Sequence, residues 1–208
     1  MANAKAKTGK STARKSNAKR SAAKMDAITL LTDDHARVKK LFRSFEKLKD
    51  KDDELALQDI VTTACSELQV HSKLEEELFY PAVRALADHE LEEMLNEAKV
   101  EHGSVDELVH KLANQKLDDE MYKAHFTVVM EYVKHHVKEE EKEMFPKVRK
   151  LKRLDLKALG ERMRARQEEL MGEFIKEAGH AMEDSELADE ALLIGAKKSK
   201  SPRIRAGR

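Results

Sequence analysis

From Met25 onward apolar residues recur every three to four positions, the spacing of helices with one buried face. Leu31, Val38, Phe42 and Phe45 mark one stripe and predict a first helix over 33–49, with a short lead-in at Asp26–Leu31 and Thr32 or Asp33 as its cap. Ala64, Leu68, Leu74 and Leu78 predict a second over 53–79, able to run past Pro81. Leu95, Ala98, Val105 and Val109 predict a third over 89–115; Val129, Tyr132 and Val133 predict a fourth over 118–149. A fifth helix is expected over 155–177, with a companion segment at 181–195. The connections at 49–53 and 114–119 are short and polar, and short loops between long helices make neighbours antiparallel. The expected fold is therefore all-α: an up-down-up-down antiparallel four-helix bundle over 25–150, with a helical extension over 151–195.

Composition agrees with this and adds the ends of the chain. Of 208 residues, 38% are charged and only 4% aromatic, a balance that favours helix over strand. Residues 1–24 hold eight Lys or Arg, no acid, and no Leu, Ile, Val or Phe, so they cannot bury enough apolar surface to order themselves and are expected to be disordered. The stretch 196–208 holds six more basic residues and no acid. Removing those fourteen from a total of forty leaves twenty-six basic against forty acidic residues, an acidic body between two cationic tails. Lys7-Thr8-Gly9-Lys10-Ser11 resembles the end of a phosphate-binding loop, but Ala4 stands where the first glycine is required and no strand precedes it. No run of eighteen apolar residues predicts a membrane span, and the start of the chain has no apolar core of a secretory signal. The lone cysteine, Cys65, fits a reducing cytoplasm.

Candidate chemistry sits in a pattern that occurs twice. His71 is followed by Glu75 and by Phe79-Tyr80-Pro81; His136 is followed by Glu140 and by Met144-Phe145-Pro146. Residues four apart share a helix face, so each pair offers one nitrogen and one oxygen to a common point. His35 on the first helix and His102 on the third also lie in their apolar stripes. Measured from the turns near 51, 87 and 116, all four histidines fall at similar heights, with Glu75 and Glu140 one turn away. A single histidine in a stripe is ordinarily a hydrogen-bonded core residue; four in one layer with two carboxylates are a metal site, because a buried unpaired carboxylate is costly. The proposed ligands are His35, His71, Glu75, His102, His136 and Glu140. Imidazole and carboxylate without thiolate suit iron or manganese, whereas zinc does not explain six ligands. A rival carboxylate site built on two Glu-x-x-His pairs would use Glu107/His110 and Glu177/His180, but the latter pair lies outside the helices that share the layer.

These motifs, with Asp34-His35 and Glu101-His102, resemble those of the hemerythrin-like, HHE cation-binding proteins over about residues 26–150. The resemblance implies a non-haem di-iron centre on the six residues above, with Glu75 and Glu140 as bridges, that interacts with dioxygen or a related small molecule. Two positions depart from the oxygen-carrying members. Asp106 stands where they have a further histidine, and Glu141 where they have the last aspartate. Reversible oxygen transport is thereby disfavoured relative to sensing, redox or detoxifying roles toward dioxygen, peroxide, nitric oxide or iron level. Binding and turnover would use the same centre. Asp106 is expected to face inward with His102 as a seventh ligand or its hydrogen-bond partner, and Tyr132 to be core, with a hydrogen bond to the site as a further role. His135 is expected to flank the bundle and Cys65 simply to pack. An alternative reading from a different class is a nucleic-acid-associated protein that binds DNA weakly through its basic tails, with steep salt dependence.

Overall fold

The computed structural model describes residues 26–117, 119–174 and 176, and the described residues contain helices and connections but no strand. Both basic tails and the segment 181–195 lie outside the described residues. Four long helices are present: α1 Ala27–Leu48, α2 Glu54–Leu74, α4 His89–Ala113 and α5 Glu120–Glu139. After α2 comes a π-helical turn, Glu75–Phe79, and the short α3, Tyr80–Arg84; after α5 come a second π-helical turn, Glu140–Met144, and α6, Phe145–Val148. A further helix, α7, covers 156–167. The described residues fall into two compact units, divided between Gln167 and Glu168; the second contributes the helical residues 168–174.

Each long helix starts at an aspartate. Asp26, Asp53, Asp88 and Asp119 accept from the backbone N–H of Thr29, Ala56, Leu91 and Met121 at 2.8, 3.3, 3.0 and 2.8 Å, satisfying donors that a helix start leaves unpaired. The first helix thus begins at Ala27 and not near 33. Asp26 supplies the cap, Thr32 turns its hydroxyl back to the Ile28 carbonyl at 2.7 Å, and the expected lead-in is the buried first turn, with Ala27, Ile28, Leu30 and Leu31.

Helix α1 packs on α2, α4 on α5, α2 on α4 and α1 on α5. Between them lies a core of Val38, Phe42, Leu68, Val105, Phe126 and Val133, in which Phe126 stands edge-on to Phe42 and Phe45 at 5.8 and 4.7 Å. Cys65 packs into this cluster, and burial pushes its thiol up to about 12, far from the thiolate needed for reactivity. Tyr132, by contrast, is 47% exposed and is not part of the core stripe.

Helix α7 lies against the start of α1. A Cβ on Gly160 would stand 2.7 Å from Ala27 N and 2.8 Å from Asp26 C. Backbone atoms cannot give way as a side-chain tip can, so Gly160→Ala is expected to destabilise the unit by about 1–3 kcal/mol, read by urea denaturation. An unchanged midpoint would show that α7 is not seated there.

Asp26 also pairs with Arg149, at 2.8 Å, tying the start of α1 to the end of α6. Burial raises the Asp26 carboxyl, but hydrogen bonds from Arg149 and Thr29 outweigh it and hold the group below its usual value of 3.8. A depressed carboxyl stabilises the fold above its unfolded pKa, and that contribution is lost as pH falls through the folded pKa. Asp26→Ala is therefore expected to cost about 1 kcal/mol at pH 7. The difference from wild type should shrink below about pH 4, and a gap that stays constant down to pH 2 would contradict the assignment.

Candidate metal centre

The two repeated motifs fold alike because each glutamate opens a π turn. The Tyr80 N–H bonds the Glu75 carbonyl, and the Phe145 N–H bonds the Glu140 carbonyl, five residues back in both cases. Pro81 and Pro146 lie just beyond, without an amide hydrogen to continue a regular ladder. The wider turn brings the residue five after each glutamate over the site. Tyr80 stacks on His102 at 5.6 Å and Phe145 on His35 at 5.8 Å, which gives the aromatic-Pro endings their physical role.

All six residues singled out from the sequence come together, and all are buried. His35 Nε2 and His71 Nε2 are 3.2 Å apart, and His102 Nε2 and His136 Nε2 are 3.1 Å apart. Glu75 Oε2 sits between the two pairs, 3.2 Å from His71 Nε2 and 3.3 Å from His102 Nε2. Glu140 Oε2 closes the other side, 3.2 Å from His35 Nε2 and 3.5 Å from His136 Nε2. Such separations are those of ligand atoms about 2.1 Å from a shared ion at roughly right angles.

The outer nitrogens determine what the inner ones present. His35 Nδ1 lies 3.0 Å from Glu141, His102 Nδ1 3.1 Å from Glu76, and His136 Nδ1 2.8 Å from Glu101. A carboxylate can only accept, so in these three rings Nδ1 carries the proton and Nε2 turns a lone pair inward. His71 Nδ1 faces Asp34 at 3.7 Å and has no hydrogen-bond partner. Asp34 is itself held by Arg37 and by Gln167 Nε2, which lies 3.3 and 3.1 Å from its two oxygens.

The inward lone pairs of His102 and His136 face each other at 3.1 Å and repel, and the neighbouring carboxylates add negative charge. Burial and the neighbouring Glu140 push the Glu75 carboxyl well above its usual range. Burial acts on Glu140 in the same direction, but the surrounding imidazoles, His136 foremost, outweigh it and hold that group low. Neither Glu75 Oε1 nor Glu140 Oε2 has a hydrogen-bond partner. Divalent cations between the pairs would turn each of these repulsions into a bond, so the donor set fits a metal pair.

Tyr80 completes the inner wall: its hydroxyl is 3.3 Å from Glu75 Oε2, 3.2 Å from Glu140 Oε1 and 3.4 Å from His102 Nε2. Burial, with the charges of Glu140 and Glu75, pushes the phenol well above 10, so it keeps its proton. On the opposite side the four histidines face a cavity of about 20 Å³ whose apolar wall includes Val38, Phe42, Leu68, Val105, Val133 and Val137. A second cavity, of about 80 Å³, reaches His136 and Glu140 past Glu97, Glu101, Glu139 and Glu143.

Some expectations fail here. Asp106 points to solvent and pairs with His110 at 3.4 Å, so it neither ligates nor orients His102; that role falls to Glu76 from α2's π turn. Tyr132 faces solvent and makes no contact with the site; Tyr80 is the tyrosine that does. His135 flanks the bundle as expected, 3.0 Å from Glu139. Of the rival pairs, Glu107 and His110 are exposed, and Glu177/His180 lies outside the described residues. The sequence signal for Glu141 was its place in the motif, read there only as a departure; the clue to Tyr80 was its position next to Pro81.

No curated protein matches the chain. A crystal structure of a hemerythrin HHE cation binding domain-containing protein from Mycobacterium kansasii is similar to it, at 25% identity and a TM-score of 0.61, over 73% of this chain and 90% of that one. The description "Hemerythrin HHE cation binding domain" matches residues 26–148, the same span that carries both π turns and all six inward-facing side chains. With more than half of the chain matched and its histidines and glutamates gathered around one point, this protein belongs to the hemerythrin HHE cation-binding domain family.

Proposed function

We propose that the chain is a non-haem di-iron protein in which His35, His71, His102 and His136, with Glu75 and Glu140 shared between the two positions, hold the metal pair. Its function on this reading is to bind, sense or detoxify dioxygen, peroxide or nitric oxide. The observation that carries it is the pairing of Nε2 atoms at 3.2 and 3.1 Å, with a glutamate oxygen between the pairs on either side. The ring of contacts among α1, α2, α4 and α5 supports an antiparallel up-down-up-down bundle as the frame. Iron suits a nitrogen and oxygen donor set without thiolate, and when bound it would supply the electrons and the coordination position that such small molecules need.

The protein's own side chains set the rest. A cavity of about 20 Å³ beside the four histidines admits one small molecule, with valines and Phe42 on one part of its wall and polar side chains such as Ser72, Glu101 and Lys134 on another. Tyr80 holds a proton at its hydroxyl beside both shared carboxylates, on the side away from the cavity. The carboxylates behind His35, His102 and His136 keep the imidazole lone pairs aimed inward.

The test is metal analysis of the purified protein, followed by absorption spectra of the iron-loaded chain with azide, peroxide and nitric oxide. Two irons per chain and visible absorption that changes with the added ligand are expected for an imidazole–carboxylate di-iron site. A chain that loads no iron, or loads it and responds to none of the three, would overturn the reading.

A further inference from the structure

Three of the four histidines have a carboxylate at Nδ1 within 2.8–3.1 Å, and the fourth does not. The exception, His71, faces Asp34 across 3.7 Å, and its Nδ1 is a buried nitrogen without a hydrogen-bond partner. Asp34 is only 3% exposed, so solvent does not compete for it. What competes is protein: the Arg37 guanidinium on one oxygen, and the Gln167 amide at 3.3 Å from that oxygen and 3.1 Å from the other. Gln167 lies on α7, beyond the 26–148 span of the family domain.

We propose that Gln167 is a positioning residue of the metal centre: with Arg37 it holds Asp34 back from His71 and so makes the two metal positions unequal. The inference rests on the two-metal reading above. An imidazole whose N–H is given to a carboxylate is the more basic ligand through its other nitrogen. His71 lacks that support, so the position formed by His35 and His71 binds a divalent ion more weakly than the position formed by His102 and His136. The residues beyond the family domain thereby enter the metal chemistry without touching the metal. Releasing Asp34 from Gln167 lets it close on His71 and strengthens the weaker position. A merely structural contact would act in the opposite direction, because loosening α7 would weaken binding.

The experiment is a Co(II) titration of the full chain against a competing chelator, read by visible absorption, for wild type, Gln167→Met and Gln167→Ala. Wild type is expected to take two ions with affinities about tenfold or more apart. Both variants are expected to tighten the weaker position and narrow the gap, with the stronger position unchanged and the metal-free melting curve close to wild type. Two equal affinities in wild type, or variants with an unchanged or wider gap, would overturn the role of Gln167 and leave the two-metal reading standing. A wild-type chain that takes up no Co(II) would overturn both.

Discussion

Glu75→Gln is expected to weaken binding at both metal positions by more than about 100-fold while leaving the metal-free chain as stable as wild type or more so. Its Oε2 lies 3.2 Å from one histidine of one pair and 3.3 Å from one histidine of the other, so a single substitution removes an anionic donor from both. Changing an outer partner of a ligand ordinarily costs 10–100-fold, and losing the ligand itself exceeds that. Glu76→Gln, which removes the carboxylate behind His102 Nδ1, is the matched control and should stay inside that range. The metal-free effect has the opposite sign. Burial and Glu140 raise the Glu75 carboxyl, and a carboxyl raised on folding subtracts stability above its unfolded pKa. That penalty fades as pH falls below the unfolded value, so the advantage of glutamine should be largest near pH 7 and vanish by about pH 4. Metal stoichiometry and chelator-treated urea melts at both pH values decide it. A variant that still takes two ions as tightly as wild type would exclude Glu75 as a shared ligand.

Stripping the metals should produce the second large effect, a fall in melting temperature of about 10–20 °C. Each ion present at about 100 times its dissociation constant adds roughly 2.7 kcal/mol. In a chain of this size each kcal/mol is worth about 2–4 °C. The physical source is local. Without cations, four imidazole nitrogens and two buried carboxylates remain crowded within 3.1–3.5 Å of one another. Hydrogen exchange should accordingly rise first in the π turns 75–79 and 140–144, whose glutamates lose their partners, and last in the Phe42–Phe126 core. Calorimetry with and without chelator gives the first number. Equal melting temperatures would mean that the six side chains hold no ion.

How much of this was legible beforehand follows from what a helical period can carry. Spacing of 3.6 residues says which side of a helix a residue lies on, and that sufficed to place His35, His71, His102 and His136 on buried faces. It does not say where a residue on the flank of that face points. Tyr132 and Asp106 both lie near a buried stripe and both turn out to solvent. Tyr80 goes the other way: a regular helix would carry it past Glu75, and only the five-residue hydrogen bond swings it over the site.

Partners from other helices were least legible. Glu141 meets His35 across 106 residues, and Glu101 meets His136 across 35. Each contact depends on the rotation of two helices about their own axes, which no single stripe records. Gln167 is the extreme case, since nothing in residues 155–177 alone distinguishes it from the other polar positions of that helix.

The sequence by itself determined the helices, the buried stripes and the six inward-facing donors, because periodicity and the repeated His-x3-Glu pattern are properties of consecutive residues. Tertiary structure alone decided which carboxylate stands behind which imidazole, that Tyr80 closes the site, and that Asp34, bonded by Arg37 and Gln167, stands 3.7 Å from His71. Those outcomes turn on separations of a few tenths of an ångström to one ångström between groups on different helices. Such distances are set by packing and by the π turns, after the face of each helix has already been chosen.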